Sequence, residues 1–499
     1  MTEELPKEVQ SFWRETAKTP HYPKLDQNIE TDVVVVGGGI AGILSAYTLA
    51  KEGKSVALIE GRNFFGGTTG YTTAKLTAQH QLIYDELINR YGQDTAKRFY
   101  QANMEGIAYI KQIADEHNIN CDLCEQDAFV YTQDKNQLET FAKEADAYNK
   151  LGIHGGLLHD LPINLDVAVA IQMEKQAEFQ PAQFLNGVLK ALEQLNVQIY
   201  ENTMVVDIEQ NDKLTLKTAT ANTITCKNAI LATHYPSFEP DKHYTSMKPE
   251  ISYALAFKAP IEYPDGMYIN QDMPKRTFRK MQSNGEGYLL VGGQSHQIGD
   301  EKSELDRYKD IYHFAREAFD VTDVAFRWSA HDLITNDRVP FVGELHPDYP
   351  NVFTATGFSK WGLAVGATSA KVLTDAILGR DNVYSEMFKP RREIPDLTET
   401  NPKQEQVKDD IDKVNLDKSP DDLQNNEATV LEKDDKKIGV FKDDNGKLHY
   451  LNISCTHMGC DVNWNNGDQT WDCPCHGSRF KATGEVIEGP AVKDLAKED

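Results

Sequence analysis

The sequence predicts an α/β protein that opens on a glycine-rich βαβ unit and closes on a small all-β domain, and three observations carry that reading. The first is DVVVV at 32–36, a β-branched run ending in glycines, followed by the helical pattern IAGILSAYTLAKEG and a second buried-strand pattern, SVALIE. The second is the return of strand patterns at about 197–233, 251–258 and 287–293, then a strand, glycine turn and helix at 350–379. The third lies beyond a polar stretch at 388–425, rich in Lys, Asp, Glu, Gln, Asn and Pro, which reads as a linker and as partly helical. There short alternating strands resume, with a hairpin signal at Asn445 and Gly446. From about 80 to 150, charged and apolar residues recur at three-to-four spacing and predict helix.

A chain of 499 residues has room for two to four domains and large cores. No apolar run approaches the roughly 18 residues of a membrane span, and the acidic start MTEELPKEVQ lacks a signal peptide's basic and apolar regions, so the expected location is cytoplasmic. A formal net charge of −25 argues against a nucleic-acid partner, whose phosphates it would repel. The sequence does not fix the oligomeric state.

Gly37, Gly39 and Gly42 stand in GxGxxG register between a strand and a helix, with Ile40 and Ala41 opening the helix. Glu60 closes the next strand about 20 residues on, where a carboxylate accepts ribose hydroxyls of a dinucleotide while the helix amides face its pyrophosphate. The bland alternative is a tight turn beside a solvated Glu60. A second glycine–threonine cluster, GRNFFGGTTGYTTAKLTAQH, follows, then AILATH at 229–234 and the turn around Gly357 and Gly362.

These four features resemble the D-amino-acid-oxidase-like family of FAD proteins, of the glycine and sarcosine oxidase kind, over residues 30–385. The resemblance implies a Rossmann-like FAD-binding domain with an inserted mixed-sheet substrate domain: FAD segments at about 30–80, 150–240 and 330–387, and substrate segments at about 81–149 and 241–329. It implies that Gly37, Gly39, Gly42, Glu60 and Arg62 hold the ADP half, with Thr68, Thr69 and Thr73 near the pyrophosphate and flavin. Val206 would meet adenine through its backbone, and Gly357, Lys360, Gly362 and Leu363 would lie along the flavin ring. Arg327, in RWSAHDLITNDRVPFVG, is the nearest counterpart of the arginine that forks a substrate carboxylate, and is otherwise a structural ion pair. Lys360 and Arg327 are the candidate catalytic residues.

Of seven cysteines, Cys455, Cys460, Cys473 and Cys475 fall within 21 residues, interleaved with His457 and His476, a spacing that suits a metal or cluster site. Cys121 and Cys124 form a CxxC without a βαβ redox context and are read as packing residues, apart from the lone Cys226. CTHMGC and CPCHGS resemble the Rieske iron–sulfur family over residues 426–499, a C-terminal small all-β domain. The resemblance assigns Cys455 and Cys473 to one iron of a [2Fe–2S] cluster and His457 and His476 to the other. It pairs Cys460 with Cys475 in a disulfide, as in the cytochrome bc type. A structural zinc site with the same Cys2His2 set is the alternative, but leaves the second cysteine of each box without a reason. Ser478 keeps the family's serine, whereas Phe480 replaces the tyrosine that bonds a ligand sulfur.

The expected activity is an FAD-dependent dehydrogenase of the amine or amino-acid type. It would pass electrons through the cluster to an external protein acceptor, leaving by the histidine edge at His457 and His476. The alternatives are a reductase fed through the cluster by an external donor, and a redox-responsive interaction protein.

Overall fold

In the computed structural model, residues 5–210, 213–236, 238, 240, 246–260, 265–300, 302–394, 418–433 and 436–498 are described. The expected linker therefore lies outside the described residues from 395 to 417.

Val33–Val36 is buried along its whole length, because both faces of a parallel sheet are covered. It sits in a six-stranded sheet ordered Phe341–His346, Tyr349–Thr356, Asn228–Leu231, Val33–Val36, Val56–Ile59, Gln198–Tyr200. Only the first of these strands runs antiparallel to its neighbour. Helices Ile40–Lys51 and Gly362–Leu378 pack together above it. Gln93–Glu116 crosses the latter so closely that a Cβ on Gly106 would lie 1.9 Å from Ala364 O.

The second large unit is a nine-stranded mixed sheet. It runs from Val324–Thr335 through Met247–Lys258, Glu286–Gln297, Arg276–Ser283, Met267–Asn270, Cys124–Thr132 and Val169–Glu178 to Lys75–Leu76, with Gly155–Leu158 beside Val169–Glu178. Three expectations change. The FAD segment placed at 150–240 gives up 155–178 to this sheet and returns to the nucleotide side with helix Pro181–Gln194. The substrate segment placed at 241–329 runs on to Thr335. Inside the stretch expected to be helical, Cys124–Thr132 is a strand whose last five residues are buried on both faces, so no alternation marks it. Cys121 is buried as expected, whereas Cys124 is exposed at that strand's start.

The C-terminal domain has two small antiparallel sheets. Ala428–Lys433, Lys436–Lys442 and Leu448–Asn452 form one; Asn463–Asn465, Thr470–Asp472, Arg479–Lys481 and Val486–Glu488 form the other. Trp471, Phe480 and Leu451 fill its core together with Cys455 and Cys473.

Candidate functional site

Val33–Val36 delivers the chain into Gly37, whose φ of +119° disfavours any side chain and whose Cβ would lie 2.2 Å from Ala232 O. Gly42 lets the following helix rest on that turn, since a Cβ there would lie 2.0 Å from Gly37 O. Gly39 caps the helix without a side chain, leaving Ile40 N to donate to Thr69 Oγ1 at 3.2 Å. Glu60 reaches back across the turn: Oε2 accepts from Gly38 N at 2.6 Å and Oε1 from Arg62 N at 2.7 Å, while burial raises its carboxyl. Above this cradle opens a cavity of about 590 Å³.

Gly37, Gly39, Ile40, Ala41, Glu60, Arg62, Thr68, Thr69 and Thr73 line it from one side, and Lys360, Gly362 and Leu363 from the other. Gly42 lies beneath the turn, and Gly357, at φ +70°, shapes the chain's approach to Gly362 from behind the wall. Helix amides that donate, a side-chain-free turn and an accepting carboxylate just past the neighbouring strand are the set a dinucleotide needs. Val206 is not in the wall. Strand alternation turns Val205 inward and leaves the Val206 side chain 45% exposed, so that any adenine contact there would be made by its backbone.

Lys360 is ion-paired in the wall, its Nζ 2.8 Å from Glu250 Oε2 and bonded to Ser295 Oγ. Burial opposes ionisation of Glu250, but Lys360 and Ser295 outweigh it and hold the carboxyl below its usual range. Two wall residues went unread in the sequence. Burial brings the ammonium of Lys75 down to about 7, aided by nearby Arg279, and its Nζ bonds Thr277 Oγ1. Burial likewise lifts the Asp332 carboxyl to about 6. Lys75 lies inside the second glycine–threonine cluster, where a lysine among hydroxyls was the available signal.

The two cysteine–histidine boxes form the same turn twice. Cys455 N donates to Cys460 O at 2.7 Å and Gly459 N to Cys455 O at 2.8 Å; Cys473 N donates to Ser478 O at 2.8 Å and Gly477 N to Cys473 O at 3.0 Å. The Cys460–Cys475 disulfide ties the turns together. Cys455 and Cys473 are buried free thiols that share a hydrogen bond, which pulls Cys455 down and pushes Cys473 up. The rings of His457 and His476 stand 5.0 Å apart, and His457 Nδ1 is buried without a hydrogen-bond partner. The turns thus bring two thiols together and two imidazoles together, with the sulfurs of the Cys460–Cys475 disulfide within 4.8 Å of Cys473 Sγ.

Residues 32–376 match the family described as FAD dependent oxidoreductase, and residues 414–498 match the Rieske [2Fe-2S] domain. The chain belongs to the FAD-dependent oxidoreductase family and ends in a Rieske domain. A Rieske 2Fe-2S iron–sulfur protein of Bacillus subtilis, YhfW, is 39% identical over 98% of this chain and 97% of its own. Gamma-glutamylputrescine oxidoreductase of Escherichia coli is 22% identical over 72% of this chain and 86% of its own. Glycine oxidase from Geobacillus kaustophilus shares the fold at a TM-score of 0.63 and 18% identity, over 74% of this chain and all of its own. The FAD domain supplies the cradle and the Rieske domain holds a [2Fe–2S] cluster, which decides against zinc.

The Rieske domain is docked on the FAD domain. Arg479 donates to Asp468 at 2.7 Å, Asp472 at 3.1 Å and Ser329 Oγ at 3.1 Å, and Tyr308 OH donates to Asp468 at 2.8 Å. His331 Nδ1 lies 3.0 Å from Gly477 O, and Arg62 Nη2 donates to Ala491 O at 3.4 Å. Ile487, Glu488 and Gly489 complete the wall of the FAD cavity itself.

Arg327 belongs to this junction and not to the cavity. Its guanidinium donates to Gly467 O at 2.5 Å, Pro6 O at 2.6 Å and Lys7 O at 2.9 Å, and stacks over Tyr308. The substrate-fork expectation is corrected, because all three nitrogens are spent on carbonyls that pin the N-terminal segment and the Rieske domain. The histidine edge is corrected too. His457 and His476 meet the ring of Tyr235, at 5.9 and 5.4 Å between centroids, so the edge expected to face a partner faces the FAD domain. No helix among the described residues is long and apolar enough to cross a membrane.

Proposed function

We propose that the protein oxidises the C–N bond of an amine or amino acid in the FAD cavity and sends the electrons through its Rieske cluster to an external acceptor protein. The observation that supports this is the shared enclosure: Ile487–Gly489 of the Rieske domain and Gly37–Gly39 of the FAD domain line one cavity. FAD, when bound, takes two electrons from a substrate carbon and releases them singly, which suits a cluster that carries one at a time.

Around that chemistry the chain's own groups bind and orient. Gly37, Gly39 and Glu60 seat the ADP half, and Gly362 and Leu363 flank the ring. Lys75 faces the cavity as a cation close to its titration point, suited to pair with a carboxylate or to take the proton a substrate ammonium must lose before oxidation. Lys360, fixed by Glu250, orients the opposite wall. Buried free thiols at Cys121 and Cys226 fit a reducing, cytoplasmic setting.

An anaerobic screen of amines and amino acids tests the reading. Flavin bleaching followed by the reduced-cluster spectrum is the expected order. Bleaching by no such compound, with flavin reduced only after a one-electron donor has filled the cluster, would reverse the direction of flow.

A further inference from the structure

We propose that Tyr235 is the contact through which electrons cross from the FAD cavity to the cluster, an inference that rests on the flavin-to-cluster reading above. The strand Asn228–Leu231 is held between Val33–Val36 and Tyr349–Thr356, and so is fixed at the centre of the sheet. Its continuation Ala232, Thr233 and His234 forms part of the cavity wall, with Ala232 O against Gly37 and His234 Nε2 3.4 Å from Thr68 Oγ1. The next residue, Tyr235, is 4% exposed and packs with Met247, Leu333 and Phe341. Its ring meets both His457 and His476 edge-on. One peptide bond therefore separates a residue of the cavity wall from a ring in contact with both ligands of the histidine-held iron.

Tunnelling weakens exponentially with distance, and less steeply through bonded or packed atoms than across a gap. A covalent step followed by one ring contact is thus favoured over any route with a water-filled break. Of the other crossings, His331 to Gly477 lies next in sequence to a ligand histidine, and it ends on a backbone carbonyl and not on a ligand ring. In the proposed step one electron leaves reduced FAD and one enters the cluster. Tyr235 serves as the medium, is neither oxidised nor reduced, and transfers no proton.

The holoprotein can be reduced anaerobically at its flavin, with flavin absorbance and freeze-quenched cluster spectra followed in time. Tyr235→Phe keeps the ring and should keep the wild-type transfer rate. Tyr235→Leu should slow transfer by an order of magnitude or more, with FAD content, cluster spectrum and cluster potential unchanged. A Tyr235→Leu protein that keeps its cluster and transfers at the wild-type rate overturns the proposal. If that variant loses its cluster, Tyr235→Met, which fills much of the same volume, is judged on the same two outcomes. His331→Leu should leave the rate in place, and a rate that falls there while surviving in the Tyr235 variants would move the crossing to His331. Absence of flavin-to-cluster transfer in the wild type would instead defeat the underlying reading.

Discussion

The dinucleotide cradle and the cluster loops are both tight glycine-containing turns, yet they are made in opposite ways. At the cradle the chemistry is backbone: Gly37 and Gly42 matter because a Cβ would strike Ala232 O and Gly37 O. At the cluster the chemistry is side chain: the same turn is repeated at Cys455 and Cys473, bringing two thiols together and two imidazoles together. The first site fails when something is added, the second when something is taken away.

Paired substitutions should separate the two with the largest effects. Gly37→Ala, carrying a methyl into a 2.2 Å gap at positive φ, should abolish FAD retention while the two irons stay, as flavin and metal content will show. His476→Ala should lose the cluster and keep FAD. Loss of both cofactors from either variant would mean that the sites are not independently built.

The junction between them breaks by a third route. Arg479→Met leaves Asp468 and Asp472 buried without their cation and should cost about 3–5 kcal/mol, read from calorimetric unfolding of the Rieske domain. FAD content should survive, because Arg479 does not line the cavity.

What the sequence disclosed follows the same division. Glycine spacing before a helix, and cysteine–histidine spacing within a loop, are local, so the sequence could offer Gly37, Gly39, Glu60 and the residues of the two cysteine–histidine boxes as candidates. Arg327 could not, because its three acceptors, Pro6, Lys7 and Gly467, lie far from it along the chain. Tyr235 carries no motif at all, and the role proposed for it rests on the sheet that places it. Val169–Glu178 was assigned to the wrong unit because a strand's sequence does not name the sheet it joins.

A smaller effect concerns Asp332. Its folded carboxyl titrates near 6 against an ordinary 3.8, so its stabilising contribution is complete below the ordinary value and is lost as pH rises through about 6. Above that the fold carries a buried carboxylate at a cost on the order of 2–3 kcal/mol. Asp332→Asn should therefore raise the melting temperature at pH 8, with the gain vanishing near pH 4. An equal gain at both would assign the effect to packing.

The finest test is Phe480→Tyr. Phe480 is fully buried and pairs with Trp471 across the strands. A hydroxyl reaching a ligand sulfur would favour the reduced cluster by at most about 1.5–3 kcal/mol, or roughly 60–130 mV for one electron. A rise within that range, measured by redox titration, would show that the loop can accept the bond, and an unchanged potential would show that the ring is too distant.

The wall contributed by Ile487–Gly489 also sets an order of assembly. Every segment of the FAD domain precedes the Rieske domain along the chain and leaves the ribosome first, at a time when the cavity lacks its last side. FAD can enter then with the mouth open. Docking of the Rieske domain through Arg479 and His331 then sets Ile487–Gly489 into the wall and closes that side. A chain whose C-terminal domain is undocked leaves that side open, and its FAD should exchange with free FAD faster than in the docked protein.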